Sequence, residues 1–270
     1  MKALQSEGFY LLLLYFYSIH HTVGSTDGTI TMTQFLKDGD NIASRGGSFE
    51  MGFFSPGNSK LRHVGMWYKN ISVRTVVWVA NREAPLTGRS GILKVIEPGL
   101  LVLLNGTNSV VWSTNTSRSV QNPIAQLLDS GNLIVKEAVD DNSENFLWQS
   151  FDHPTDTLLP GMKLGWNFVT GREVYLSSWQ NKEDPAPGDF TYHCDPSGYP
   201  QNILNKGSNV VYRSGPWNGL FLVEQQAQES HFYTFGIFSS KTEVYFGYKL
   251  TSTVITRLTL NQNGALQRWT

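Results

Sequence analysis

An all-β fold is what this sequence predicts, on three observations. The strong apolar segments are short, β-branched or aromatic, and separated by Gly, Asn, Pro and Asp. Past the first 25 residues, no stretch sustains helical periodicity. Trp recurs at a strand end, at Trp78, Trp112 and Trp148, with spacings of 34 and 36 residues. Together they indicate a sandwich, barrel or prism. Phe, Tyr and Trp make up 13% of the chain, so large rings are expected to fill the core.

The first element is a leader. Lys2 gives a weak positive start, partly offset by Glu7, and an apolar run follows from Phe9 to Ile19. Those 11 residues are too few to cross a bilayer core, which takes about 20. They suit the apolar region of a signal peptide over residues 1–25, with Val23 and Ser25 permitting cleavage before Thr26. A buried N-terminal helix or an uncleaved anchor is the alternative. No second long apolar run follows, so no membrane span is expected, and the expected location is secreted or on the outer side of the plasma membrane. Sequons at Asn70, Asn105 and Asn115 support a secretory route and predict exposed loops or strand ends there. The net charge of −1, without Lys/Arg clusters, leaves no footprint for nucleic acid. One cysteine, Cys194, excludes an internal disulfide. It is either a buried small hydrophobe or half of a bridge to a partner.

The strands come next. Val64–Tyr68, Thr75–Val79, Leu100–Leu104 and Val244–Tyr248 are the clearest. Each hub Trp follows two apolar residues: Val76-Val77, Val110-Val111 and Phe146-Leu147. Leu101-Val102-Leu103 and Leu133-Ile134-Val135 each follow a Gly-bearing turn, at Gly99 and Gly131. This predicts three copies of a small sheet, each giving one Trp to a shared centre. One such sheet cannot bury its apolar face alone.

The second half echoes the first. Asn105–Trp112 matches Asn205–Tyr212 at an offset of 100, and Leu127–Gly131 is loosely repeated by Leu260–Gly264. Two tandem related domains are expected, 26–150 and 151–270, with the junction near Phe151–Asp156. The chain stops at Arg268-Trp269-Thr270, inside an expected strand, so the second domain reads as C-terminally incomplete.

Several segments then become recognisable. Gly47–Gly57 (GSFEMGFFSPG), Gly65-Met66-Trp67-Tyr68 and Val77–Arg82 (VWVANR) resemble the opening of the plant S-domain. Leu128–Leu133, Trp148–Thr157 (WQSFDHPTDT), Gly188-Asp189-Phe190 and Tyr212–Gly219 (YRSGPWNG) follow in the family's order. The resemblance to S-locus glycoproteins and S-domain receptor kinases covers essentially the whole chain past the leader. It implies a bulb-type, mannose-binding-like lectin domain of β-prism II shape with pseudo-threefold repeats, then an S-locus glycoprotein domain that is a second prism. It also implies a peptide or protein ligand, a homo- or hetero-dimer partner, and a link to pollen recognition and cell-surface signalling. The receptor forms add a kinase that lies outside this chain.

Bulb lectins hold mannose through Gln-x-Asp-x-Asn-x-Val-x-Tyr, whose alternate residues share one face of a strand. In the third repeat those positions hold Leu128, Ser130, Asn132, Ile134 and Lys136; in the second, Ile96, Pro98, Leu100, Val102 and Leu104. Only Asn132 and Ile134 fit; Ser130 stands at the Asp position, and Leu128 and Lys136 at the Gln and Tyr positions. A glycan site there is degenerate, since unmatched sugar hydroxyls disfavour burial. The alternative for Asn132 is a turn residue whose amide satisfies nearby backbone. No catalytic motif, phosphate loop, metal-ligand spacing or cofactor signature is present. Asp152, His153 and Asp156 read as a polar turn rather than a metal site. Recognition without catalysis is therefore expected, through a protein or peptide ligand, with true glycan binding as the alternative. The candidate contact loops are 181–187 and 225–230.

Overall fold

The computed structural model describes residues 28–142, 145–220, 222 and 230–270. The leader over 1–25, and residues 225–229 of the second candidate loop, lie outside the described residues.

Twelve strands build the first part. They are β1 (Thr29–Ile30), β2 (Phe35–Lys37), β3 (Asn41–Ala43), β4 (Phe49–Phe54), β5 (His63–Tyr68) and β6 (Val76–Val79), then β7 (Ile92–Ile96), β8 (Leu100–Leu104), β9 (Val110–Ser113), β10 (Pro123–Leu127), β11 (Leu133–Glu137) and β12 (Trp148–Gln149). They form three four-stranded antiparallel sheets, ordered β3-β4-β5-β6, β2-β7-β8-β9 and β1-β10-β11-β12. Period-two alternation decides which side faces in. Leu93 stands opposite Leu103, Val95 opposite Leu101 and Leu127 opposite Leu133, and all six are at most 1% exposed. The chain's first described strand closes the third sheet, because β1 pairs with β10 at its outer edge.

Eleven strands follow: β13 (Thr157–Leu158), β14 (Leu164–Asn167), β15 (Arg172–Val174), β16 (Leu176–Asn181), β17 (Asp184–Asp195), β18 (Gln201–Lys206), β19 (Asn209–Pro216), β20 (Tyr233–Ser239), β21 (Glu243–Leu250), β22 (Arg257–Leu260) and β23 (Leu266–Trp269). Their sheets are β16-β17-β18-β19, β15-β14-β21-β20 and β13-β22-β23. Among the described residues the only helical piece is a 3-10 turn at Ser150–Asp152. The fold is all-β, two successive triads of sheets, the first of which has the three sheets expected from the tryptophan repeat.

The echo at offset 100 has a structural basis. Both segments form the last hairpin of a four-stranded sheet, and each carries a bulge beside its ring. Trp112 pairs with Leu103 before an irregularity at Leu104, and Tyr212 pairs with Leu204 before one at Asn205.

The triads share one continuous core, which runs from Ile30 and Met51 through Leu158, Leu164 and Tyr192 to Leu260. Cys194 is fully buried in it, and burial pushes its thiol up to about 12.

Candidate functional site

The three repeat tryptophans meet. Ring centroids of Trp78, Trp112 and Trp148 lie 6.0–6.1 Å apart, with interplanar angles of 62–79°. Each pair is edge-on, so a positive ring edge faces a negative ring face, worth about 0.5–1.5 kcal/mol per pair beyond burial. Trp78 and Trp148 are buried, while Trp112 is partly exposed. The Trp78 indole N–H donates to the His153 carbonyl at 2.8 Å, which ties the hub to the start of the second triad. The His153 ring stacks on Trp148 at 5.4 Å. Burial, with Arg172 adding to it, depresses the His153 pKa.

Above the hub, between the triads, lies a cleft of about 650 Å³. Trp78, Trp112 and Trp148 line it together with Arg82, Glu83, Asp152, Glu173 and Tyr175. Arg82 was quoted in the sequence only as part of a motif, and its task is visible here. Its guanidinium donates to the carbonyls of Pro185 at 2.6 Å, Ser178 at 3.0 Å and Ser177 at 3.3 Å. Asn81 beside it fixes the strand end, accepting from Val64 N–H at 2.8 Å and donating to the Ala84 carbonyl at 2.9 Å. Asp152 pairs with Arg172 at 2.9 Å. Glu173 sits 2.8 Å from His193 Nδ1, and the His193 ring stacks on Tyr175 at 4.5 Å. These cleft residues are brought together by strands far apart in the chain, and no local spacing signals them. Asp152, His153 and Asp156 each have separate tasks. The Asp156 carboxylate accepts from the Thr157 hydroxyl at 3.0 Å and the Thr155 hydroxyl at 3.3 Å.

The degenerate sugar strand is also resolved. Asn132 donates through Nδ2 to Gln149 Oε1 at 2.9 Å, and its Oδ1 accepts from Ser150 Oγ and Phe151 N–H, both at 3.2 Å. The amide thus serves β12 and the 3-10 turn rather than its own turn. Gln149 passes the chain on to Asp152 Oδ1 at 2.8 Å. Ser130 Oγ accepts from Asn132 N–H at 3.3 Å, and Ile134 is buried opposite Gln149. Gly131 makes the turn at φ 80°, where a Cβ would come within 2.8 Å of Phe49 and Leu159 carbons.

The sequons lie at loops or strand ends, with Asn70 and Asn115 exposed and Asn105 half-buried. Asn70 follows β5 and is exposed. Asn105 opens the β8–β9 turn, its Oδ1 accepting from Thr107 and Ser109 N–H groups. Asn115 follows β9 on the rim of the cleft. The 181–187 segment is a hairpin seated on the first triad, with Asn58 Nδ2 donating to Glu183 Oε1 at 3.3 Å and Pro185 accepting from Arg82.

Comparison with known proteins follows the same line. The D-mannose binding lectin family model matches residues 75–180, from the approach to β6 into β16. The receptor-like serine/threonine-protein kinase SD1-8 of Arabidopsis thaliana is 41% identical over 264 residues, covering 96% of this chain and 30% of that protein. The S-locus-specific glycoprotein S6 of Brassica oleracea is 38% identical, covering 96% of this chain and 61% of the glycoprotein. This chain belongs to the S-locus glycoprotein and S-domain receptor kinase family. It spans less than two thirds of either S-domain relative's length, and the matched portion is the lectin and S-domain ectodomain without the kinase. Among solved structures, a monomeric monocot mannose-binding lectin from Gastrodia elata matches at 22% identity and a TM-score of 0.35, covering 46% of this S-domain chain and 96% of the lectin. Among the described residues, no helix is long and apolar enough to cross a membrane.

Proposed function

We propose that this S-domain chain is an extracellular recognition module, working as a secreted S-locus glycoprotein or as receptor ectodomain. In this reading it binds a peptide or protein ligand, or a partner ectodomain, and takes part in cell-surface signalling of the pollen-recognition kind. Residues 1–25 act as a cleaved signal peptide. Asn70, Asn105 and Asn115 carry glycans, and the functional units are 26–150 and 151–270.

One observation carries the reading. Both ends of the Asn132 amide are hydrogen-bonded inside the protein, to Gln149 and to the Ser150–Phe151 turn. Presenting that amide to a mannose hydroxyl would break those bonds and leave buried polar groups unmatched, at about 1–3 kcal/mol each. The cleft, by contrast, offers an acidic, basic and aromatic lining on a rigid scaffold, which suits polypeptide side chains.

A glycan array with the secreted protein tests this. The expected result is no mannose binding that free mannose competes away. Hapten-competable binding that disappears in Asn132→Ala would establish the glycan reading instead.

A further inference from the structure

A second cavity lies where the two triads meet, and it shares no lining residue with the tryptophan cleft. It holds about 460 Å³, within the ordinary range of small-ligand sites, about 300–1,000 Å³. Phe49 and Tyr68 line it from the first triad, and Leu250, Val254 and Ile255 line it from the second. The Phe49 and Tyr68 rings lie 4.7 Å apart and are almost fully buried. Leu250 and Ile255 are 38% and 45% exposed. Large apolar side chains left open round one cavity mark a place for an occupant.

Asn70, the exposed acceptor of the sequon Asn70-Ile71-Ser72, lines the same cavity. Its Nδ2 donates to the Gly47 carbonyl at 3.3 Å, which fixes the direction of the amide. Glycan attachment forms a bond from Nδ2 to the anomeric carbon of the first sugar. One Nδ2 proton leaves, together with the diphosphate of the lipid-linked sugar donor. The other Nδ2 proton stays, so a hydrogen bond to Gly47 is compatible with the linkage. Asn105 offers a contrast, because it lines neither this cavity nor the cleft and spends its Oδ1 on its own turn.

We propose that the first two N-acetylglucosamine residues of an Asn70 glycan pack into this cavity and tie the two triads together. This sugar carries ring C–H groups and an acetyl methyl, with hydroxyls round its rim. Its apolar parts suit Phe49, Tyr68, Val254 and Ile255. Its hydroxyls find Ser130, whose Oγ accepts from Asn132 N–H and keeps its own proton to donate. They also find the Lys249 ammonium, which has three protons to donate. The covalent tether makes docking intramolecular, at an effective concentration on the order of millimolar, so individually weak contacts suffice. The proposal rests on the secretory reading, under which this sequon is occupied, and gives one glycan a structural task.

The test uses protein secreted from cells that keep its glycans in the high-mannose form. The native protein is treated with an endoglycosidase that cuts between the first two N-acetylglucosamines, and release is followed site by site by glycopeptide mass spectrometry. Asn70 is expected to be cut at least about tenfold more slowly than Asn105, and equally fast once the protein is denatured. Ile255→Ser is expected to bring Asn70 most of the way to the Asn105 rate. Should that variant misfold, isotope labelling of the acetyl groups in the wild-type protein provides the test. The Asn70 acetyl methyls, assigned with Ser72→Ala, are expected to be shifted by the Phe49 and Tyr68 rings, away from the Asn105 methyls assigned with Thr107→Ala. Equal native release at the two sites, or coincident methyl resonances, overturns the packing and leaves the secretory reading standing. An Asn70 that carries no glycan overturns the packing and the assignment of that sequon together.

Discussion

Two turns with the same hydrogen bonds, at Gly131 and Gly264, lead into sheets of different fate. After Gly131 the strand is covered by β12, which delivers Trp148 to the hub and Gln149 to the Asn132 amide. After Gly264 the strand β23 pairs, among the described residues, with β22. Its Trp269 is about half exposed and is capped by Arg257, whose guanidinium carbon lies 5.1 Å from the ring centroid. The same residue type therefore has opposite energetic weight in the two sheets. A ring that meets two others inside a prism holds three sheets together, whereas a half-exposed ring holds only its neighbour. The lesson is that the repeat unit is not the source of stability; closure of the repeats is.

The largest effect that would break this comparison belongs to the hub. Trp148→Ala is expected to lower the unfolding free energy by about 3–5 kcal/mol in urea titration, because the two remaining rings keep no third partner and a cavity opens at the centre. A cost below about 1 kcal/mol would mean that the hub does not hold the triad.

An intermediate effect sits at the first strand of each sheet. The position that is Gly28 in the first triad is Asp156 in the second, each giving its carbonyl to the following hairpin. Desolvation pushes the Asp156 carboxyl up to about 6, against the pull of Thr157 and Arg82. The folded protein then holds this proton more tightly than the unfolded chain. Stability from this group is present below the ordinary carboxyl range and is lost as pH rises through about 6. Asp156→Asn is expected to raise stability by on the order of 2 kcal/mol at neutral pH, allowing for partial exposure, with the gain fading in mild acid. Paired thermal melts at the two pH values check it. A gain that grows on acidification would reverse the assignment. The smallest effect is at the half-exposed Trp269: Trp269→Ala should change stability by no more than about 0.5 kcal/mol, as for most exposed positions.

Much of this architecture was legible in the sequence because period-two patterning and a repeated ring are local signals. Val76-Val77-Trp78, Val110-Val111-Trp112 and Phe146-Leu147-Trp148 already predict three sheets with a shared centre. The candidate site was less legible, for a physical reason. Asn132 was weighed as a sugar ligand or as a residue serving its own turn, and its partners lie 17 to 19 positions away on β12 and the turn after it. Which strand follows β11 in space is a matter of register, which patterning alone leaves open. Arg82 reaches carbonyls 95 to 103 positions on, and Glu173 meets His193 across two sheets, so neither pairing has a spacing to read. The hairpin at 181–187 was expected as an exposed loop for a ligand. Asn181, Lys182 and Pro187 are exposed, while Pro185 and Glu183 also hold it to Arg82 and Asn58 across the seam between the triads.

Native-state amide exchange at Val135 and Arg268 in the 270-residue chain tests the difference between the four-stranded and three-stranded sheets most directly. With Val135 held by β12 and the Arg268 N–H turned away from β22 by ladder alternation, Val135 should approach the protection of global unfolding, and Arg268 should exchange orders of magnitude faster. Equal protection at the two amides, in the unliganded monomer, would contradict the account.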